Sequence, residues 1–314
     1  MRTATSSPWH RGELAVQQLV GERAEADAVA GGIHDHLPEP ARAFLERQRL
    51  VLATAVDDED RVWVTPLTGP AGFARAATPT VIELAATVAD DDPLAALTSA
   101  GGNVGLLAIE PATRRRMRVN GHVRPAAEPA AGLVVDVIQA LSNCPRYIQR
   151  REPTDEPAPE RRDAPATVGH ALTDADRRLV GDADTFFLGT VGPDGAADAS
   201  HRGGSPGFVA IEGPTRLSFG DYAGNSMYLT LGNLHVDRRV GLLFVDWTSG
   251  DLLHLSGTAE VDYDADRAAA RFPGALRTVT VDVEAVVRRP GRFPLRWSTP
   301  EPSRFNPPAH HEGR

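Results

Sequence analysis

Two short apolar segments recur in the two halves of the chain, each bounded by polar residues. The first is NVGLLAIE at Asn103 to Glu110, and the second is RVGLLFVD at Arg239 to Asp246. Such runs of β-forming residues are typical of buried strands. Each run is followed by a segment in which polar and apolar residues alternate, RRMRVNGHV from Arg115 and LLHLSGTAEV from Leu252. Alternation predicts a second strand, because successive side chains point to opposite faces of a sheet.

A glycine-rich marker precedes both pairs of segments. It reads GPAGF at Gly69 to Phe73 and GGSPGF at Gly203 to Phe208. The spacings between the three markers agree to within about one residue, which indicates an internal duplication. The glycines inside the alternating segments, Gly121 and Gly257, suit a sharp bend or a bulge.

Each repeat also predicts the elements that surround these strands. Helices are predicted at Glu39 to Gln48 and at Thr173 to Val180, with Thr173 as the N-cap. Hairpin turns are predicted at Asp57 to Asp60 and at Gly192 to Gly195. Several short strands separated by turn signals are typical of a small antiparallel barrel. The predicted fold class is therefore mainly β with flanking helices (α+β), with two tandem barrels that form a fused dimer.

The segment from Arg150 to Thr167 separates the two repeats. It is rich in proline and charge and has no apolar periodicity, as expected of an exposed linker. We therefore predict an N-terminal barrel with a helical extension over residues 1–150 and a linker over 151–167. A C-terminal barrel with a tail is predicted over 168–314.

Composition narrows the class of function. The chain of 314 residues has a net charge of −9, which argues against nucleic-acid binding. No apolar run is long enough to span a membrane, and the N-terminus lacks the order of a secretory signal. The single cysteine, Cys144, excludes an internal disulfide and fits a reducing cytoplasm. All cations are arginines, a composition typical of a GC-rich bacterial genome.

Several motifs occur together in an order that one family shares. The second half contains SHRGGSPGFVAI from Ser200, followed by LSFGDYAGNS, LTLGNL and RVGLLFVDW. The first half contains PWHRGELAVQ from Pro8, RRMRVNG from Arg115 and NCPRYIQRR from Asn143. Together they resemble the pyridoxamine 5'-phosphate oxidase-like flavoproteins, and in particular their predicted flavin-nucleotide-binding branch.

This resemblance implies two split β-barrels with one flavin mononucleotide (FMN) at their interface. In the oxidase two subunits supply the barrels, whereas here one chain would supply both. The first half carries VADDDPLAALTSAGG from Val88 where the second half has DYAGN and TLGNL. Because the aspartates would repel a phosphate, we expect one FMN site, with its phosphate-binding residues in the second half.

Residues on and after one strand of the second half are candidates for the phosphate. Ser200 and Arg202 lie two apart on this strand and therefore share a face. Gly203 would allow a close backbone approach to a ligand, and Ser205 follows the glycine pair. The alternative is that the glycine-rich stretch is an ordinary turn. His201 alternates to the opposite face.

A second set of candidates lies in DYAGNSMYLTLGN. Asn225 and Ser226 follow a glycine, and Gly232 and Asn233 come one or two helical turns later. Amides and backbone donors in a loop that leads into a short helix can cradle a phosphate. The alternative is ordinary helix-terminal and turn chemistry.

The first half supplies candidates for the flavin ring. Arg116 stands where the oxidase strand has a glutamine that touches the flavin, so the resemblance implies contact with the ring or an anionic substrate. The alternative is a solvated basic strand end. Tyr147, in the segment Asn143 to Arg150, is expected to rim the same cleft. No residue stands out as catalytic, and no histidine spacing indicates a metal.

The resemblance implies an FMN-dependent oxidoreductase that acts on a small molecule. The flavin would pass electrons to oxygen or another acceptor, or exchange them with a separate reductase, and no nucleic-acid or membrane partner is expected. The protein would be a monomer that is itself a pseudo-dimer, or a homodimer. The alternatives are a deazaflavin-dependent reductase, a haem-binding split barrel with His201 or His254 as axial ligand, and a flavin-binding protein without turnover.

Overall fold

Two eight-stranded antiparallel sheets dominate the computed structural model, which describes residues 7–125, 132–154 and 164–307. The first sheet has the strand order β3-β2-β6-β7-β8-β5-β4, and β1 also pairs with β8. Its strands are β1 (Ile33–His34), β2 (Leu50–Val56), β3 (Val62–Thr68), β4 (Ala74–Thr78), β5 (Val81–Leu84), β6 (Gly102–Glu110), β7 (Arg115–Val123) and β8 (Leu133–Ser142).

The second sheet repeats this topology strand for strand. Its order is β11-β10-β14-β15-β16-β13-β12, and β9 also pairs with β16. Its strands are β9 (Thr167–Gly169), β10 (Thr185–Val191), β11 (Ala197–Gly203), β12 (Val209–Gly213), β13 (Arg216–Asp221), β14 (Arg239–Val245), β15 (Leu252–Asp262) and β16 (Arg277–Arg289). The predicted fold class of two tandem split barrels is confirmed.

Helices flank the two sheets. They are α1 (Arg11–Leu19), α2 (Arg23–Val29), α3 (Glu39–Glu46), α4 (Leu97–Ala100), α5 (Asp174–Asp182), α6 (Leu229–Val236) and α7 (Ala265–Arg271). The two predicted helices are confirmed as α3 and α5. Thr173 caps α5 through a reciprocal pair of hydrogen bonds with Asp176. The Thr173 hydroxyl accepts from the Asp176 amide, and the Asp176 carboxylate accepts from the Thr173 amide. Within the described residues, no helix has both the length and the apolar character needed to cross a membrane.

The predicted bends occur at the two glycines of the long strands. The register between β7 and β8 shifts at Asn120/Gly121, and that between β15 and β16 shifts at Ser256/Gly257. A Cβ atom on Gly121 would lie 2.2 Å from the Asp136 carbonyl oxygen, and one on Gly257 would come as close to the partner strand. Glycine is required at both positions because the neighbouring backbone occupies the space of a side chain.

Each barrel has its own apolar core, and a third cluster joins the two barrels. The joining cluster includes Leu52 and Leu107 of the first barrel with Phe187 and Leu243 of the second, all buried. The barrels also approach through backbone: a Cβ atom on Gly241 would lie 2.6 Å from the Val62 carbonyl oxygen. Interiors packed this closely tolerate little added volume.

The segment after the first barrel is tied to the C-terminal tail. Arg150 pairs with Glu301 and Pro153 with Trp297 in isolated β-bridges. Of the predicted linker, residues 155–163 lie outside the described residues, and β9 begins at its last position, Thr167. The domain boundaries themselves remain a prediction.

The contact between the barrels predicts a position-specific effect of added volume. Gly241→Ala should lower the free energy of unfolding by about 1–3 kcal/mol, because the methyl group collides with backbone of the other barrel. Gly213→Ala is the matched control, since a Cβ atom there meets no atom within 4 Å; its effect should stay within about 0.5 kcal/mol. Urea denaturation of both variants measures this. Equal effects would contradict the tight interface.

Candidate functional site

A cavity lies between the two barrels, where β7 of the first barrel faces β11 of the second. The first barrel contributes Arg116, Arg118 and Tyr147 to its wall. The second barrel contributes Ser200 to Gly203, the loop after β13 and the first turn of α6. The cavity has a volume of about 140 Å³ and is partly open to solvent.

Most of the predicted cofactor-binding residues come together in this cavity. Those that line it are Arg116, Tyr147, Ser200, Arg202, Gly203, Asn225 and Ser226. Ser205, Gly232 and Asn233 lie outside the lining. The cavity thus brings together residues of both strands and of the loop but not the residues beyond the first turn of α6, and the cofactor-binding role of the set stays a prediction.

Gly232 and Asn233 dock the N-terminal helix instead of facing the cavity. A Cβ atom on Gly232 would lie 2.7 Å from the Glu13 nitrogen, so glycine allows α1 to pack directly on α6. The buried Asn233 amide donates to Asp198 Oδ2 (2.8 Å) and accepts at Oδ1 from the His10 Nε2 (2.9 Å). Both residues lie away from the cavity because a segment distant in sequence, the N-terminal extension, packs on this face of α6.

The glycine-rich stretch after β11 serves a backbone contact and a turn. A Cβ atom on Gly203 would lie 2.0 Å from the Tyr147 carbonyl oxygen. The absence of a side chain at Gly203 therefore allows the backbone at Tyr147 to approach closely, whether or not a ligand is bound. The Ser205 carbonyl accepts from the Phe208 amide (3.0 Å) in a turn, and Ser205 is not among the lining residues although Phe208 is. At Ser205 the structure shows a turn, as the alternative interpretation expects.

Arg118 forms a buried polar connection between the barrels, and it was not among the residues predicted for the site. Its side chain is buried; Nη2 donates to the Ser200 hydroxyl, and Nη1 lies 3.3 Å from Asp198 Oδ1. The Ser200 hydroxyl also bonds to Thr230 Oγ1 of α6 (2.9 Å). The available signal was alternation, because Arg118 follows Arg116 by two residues and shares its strand face.

Arg116 also crosses to the second barrel. Its Nη1 donates to Nδ1 of His201 (2.9 Å), and no carboxylate in the described residues pairs with it. Burial first, and then the charge of Arg202, lower the pKa of Arg116 to about 9, so it remains charged at neutral pH. The alternative of a solvated strand end is wrong, because this side chain lies in the cavity wall.

His201 lines the same cavity, although alternation placed it on the opposite strand face. Burial and then the adjacent Arg116 hold the pKa of His201 well below its ordinary value, so the ring is neutral at neutral pH. His254, the other histidine considered for haem, is not part of the cavity wall; its Nδ1 bonds to the Val64 carbonyl (2.9 Å).

The cations of the cavity exceed its carboxylates. Asp221 pairs with Arg277 (3.1 Å) and lies 3.9 Å from Arg202, so its charge is shared. Asp198 is engaged by Arg118. Arg116 and Arg202 are therefore only partly neutralised, and burial lowers the pKa of Arg202 as well. An excess of positive charge at low solvent exposure favours an anionic ligand.

Strained backbone surrounds the cavity. Tyr147, Ser226 and Tyr228 have φ values of 68°, 60° and 58°, in the left-handed region that non-glycine residues seldom adopt. Such residues cluster at ligand sites. Hydrogen bonds from Ser226 and Tyr228 lower the pKa of Glu22, a carboxyl of the N-terminal extension.

In the equivalent cleft of the first half, the charged side chains pair with one another. Arg289 of β16 holds the place that Asn143 holds after β8, as the two sheet registers show. It pairs with Asp91 (2.7 Å) and Asp92, and the buried Asp92 also accepts from the Thr65 hydroxyl. The expected repulsion at these aspartates thus takes the form of an internal ion-pair cluster.

These features define a pseudo-dimeric split-barrel protein with one cation-rich cavity between its barrels. Residues 172–289 match the family model described as pyridoxamine 5'-phosphate oxidase. The second barrel therefore matches the pyridoxamine 5'-phosphate oxidase-like split-barrel family, and the resemblance seen in the motifs is confirmed at the level of this family. No curated protein matches the chain.

Solved structures similar to single barrels of this chain include three bacterial proteins. A candidate pyridoxamine 5'-phosphate oxidase from Lactobacillus delbrueckii is 21% identical, covering 37% of this chain and 93% of its own (TM-score 0.31). HupZ of Group A Streptococcus is 15% identical, covering 36% of this chain and 90% of its own (TM-score 0.30). An FMN-binding protein from Syntrophomonas wolfei is 16% identical, covering 36% of this chain and 88% of its own (TM-score 0.27). The family assignment rests on the match to residues 172–289, not on these similarities.

The docking of α1 predicts a pH-dependent stability. Glu13 is 4% exposed, and burial raises its pKa to about 8. Its folded pKa exceeds the unfolded value of 4.5, so its favourable contribution is present below about pH 4.5 and is lost as pH rises to about 8. Glu13→Gln should therefore have a higher melting temperature than the parent. The difference between the two melting temperatures should grow from pH 5 to pH 8 and stay constant above pH 8.

Thermal melts of both proteins across this range provide the measurement. His10, whose own pKa is lowered by burial, is present in both proteins, so the difference between them reports Glu13. The Gln side chain can still accept the His10 amide and keep the capping contact. A difference that does not depend on pH would show that Glu13 is ionised in the folded protein.

Proposed function

We propose that the chain binds one FMN in the cavity between its barrels and acts as an FMN-dependent oxidoreductase on a small molecule. The observation that carries this proposal is the pair of cavity arginines, Arg116 and Arg202, whose charges have no full match among the described carboxylates. A phosphate is the anion that guanidinium groups bind best, because it accepts several charge-assisted hydrogen bonds.

The donor set fits a flavin nucleotide. The Nε atoms of Arg116, Arg118 and Arg202 are buried without a hydrogen-bond partner, and unsatisfied donors of this kind are costly unless a ligand completes them. The first turn of α6 adds backbone N–H groups that have no partner within the helix. Residues of this turn, including Thr230, line the cavity.

The two ends of the cavity suit the two ends of FMN. Arg202, Asn225 and the first turn of α6 would hold the phosphate. Arg116 and Tyr147 of the first barrel would bound the isoalloxazine, and Tyr222 stacks obliquely on Tyr147 with ring centroids 5.9 Å apart. Bound flavin supplies hydride or single-electron transfer. The protein's part is to hold the ring between the barrels and to stabilise negative charge with Arg116.

His201 has a positioning role in this proposal. Its neutral imidazole accepts a hydrogen bond from Arg116 at Nδ1. This bond would hold the Arg116 guanidinium in place against the isoalloxazine. No side chain of the described cavity is assigned as a general acid or base. The substrate would therefore exchange electrons with the flavin without a dedicated proton donor from the wall.

Paired titrations with FMN and riboflavin test the phosphate assignment. Arg202→Ala should weaken FMN binding at least about tenfold, because a charge-assisted contact to a phosphate is lost. Riboflavin lacks the phosphate, so its affinity should not change. Arg216→Ala, on the surface of the same barrel, is the control and should change neither affinity.

The same titrations distinguish the alternatives. Flavin fluorescence follows FMN and riboflavin, and absorbance follows the deazaflavin F420 and haemin added separately. Preferential binding of F420 or haemin would replace FMN as the cofactor. An equal loss of FMN and riboflavin affinity in Arg202→Ala would remove this residue from the phosphate end.

A further inference from the structure

A second pocket adjoins the cavity on the side of the first barrel. We call it the outer pocket; it encloses about 450 Å³, within the range of small-molecule sites. Arg116 and Asn143 belong to the walls of both spaces, so the outer pocket begins where the cavity ends. Phe44, Met117 and Leu141, all buried, form its apolar wall.

The rim of the outer pocket is cationic and lacks acidic residues. Arg115 lies over the Phe44 ring, with its guanidinium carbon 5.1 Å from the ring centroid, and no described carboxylate pairs with it. Arg116 is likewise without a carboxylate partner, whereas Arg114 is paired with Glu301 (3.1 Å). No residue of the described lining is an aspartate or glutamate.

The matching groove on the second barrel has a different charge balance. There Leu252 stands at the position that Arg116 occupies on β7, and the groove includes Asp176 and Asp184. Asp176 pairs with Arg288 (2.6 Å), and Asp184 pairs with Arg151 (2.7 Å). The excess of positive charge is therefore specific to the outer pocket and does not follow from the fold.

We infer that the outer pocket binds the substrate, and that the substrate is an organic acid with a flat apolar body, such as an aromatic carboxylate. The apolar body would lie against Phe44, Met117 and Leu141, and the carboxylate would face Arg115 and Arg116. Asn143 Oδ1, buried and without a partner, adds an acceptor at the boundary with the cavity. The inference rests on the proposed function, because a molecule in the outer pocket is a substrate only if a flavin occupies the neighbouring cavity.

Titration of the FMN-loaded protein with benzoate and its neutral analogue benzamide tests the inference. Ligand-observed NMR gives both dissociation constants without requiring turnover. Benzoate should bind at least about tenfold more tightly than benzamide, because its charge meets two arginines. Arg115→Gln should weaken benzoate about fivefold, a modest effect since Arg115 lies at the solvated rim, and should leave benzamide and FMN unchanged.

Arg47→Gln is the matched control, because this exposed arginine lies on the same barrel outside the pocket; its benzoate affinity should equal that of the parent. Equal affinities for benzoate and benzamide, or no effect of Arg115→Gln, would overturn the inference. Displacement of FMN by benzoate would also overturn it, because the outer pocket would then be part of the flavin site. If the protein binds no FMN, the same titration of the cofactor-free protein decides: Arg115-dependent benzoate binding there supports the pocket while the proposed function fails.

Discussion

The close approach of the two barrels is the constraint on which the site depends. Backbone of one barrel occupies the space that a side chain would need at Gly241 and, on the opposite side of the pseudo-twofold, at Gly105, where a Cβ atom would lie 2.6 Å from the Ala197 carbonyl oxygen. This contact sets β7 against β11. Arg116 and Arg118 can therefore reach His201 and Ser200, and neither barrel alone contains the full donor set.

Duplication created two clefts between the barrels, and the sequence has made them chemically different. One keeps partly neutralised arginines and donors without partners, which is the state expected of a site built for an anion. The other satisfies its own charges through Arg289, Asp91 and Asp92, with Arg289 only 4% exposed. A buried ion pair of this kind is costly to break, because separation would leave an uncompensated charge. The asymmetry therefore favours a single ligand in each chain.

Local chemistry allowed much of the fold to be predicted from the sequence. Gly121 and Gly257 mark bulges, and Thr173 caps a helix, because each effect depends on neighbours along the chain. The candidate site could be predicted only in part: Arg118 becomes important through Ser200 and Asp198 of the other barrel, a contact that alternation alone does not reveal. The position of Asn233 outside the cavity could not be predicted for the same reason, since its partners include His10, the N-cap of a helix far away in sequence.

The central claim is that one flavin lies between the barrels of each chain. Counting FMN bound per chain at saturation, by absorbance titration with ultrafiltration to separate free from bound flavin, tests it most directly. We predict one equivalent, because Arg289 in the other cleft is already paired with Asp91 and Asp92 and these carboxylates would repel a phosphate. Two equivalents per chain, or none, would contradict it.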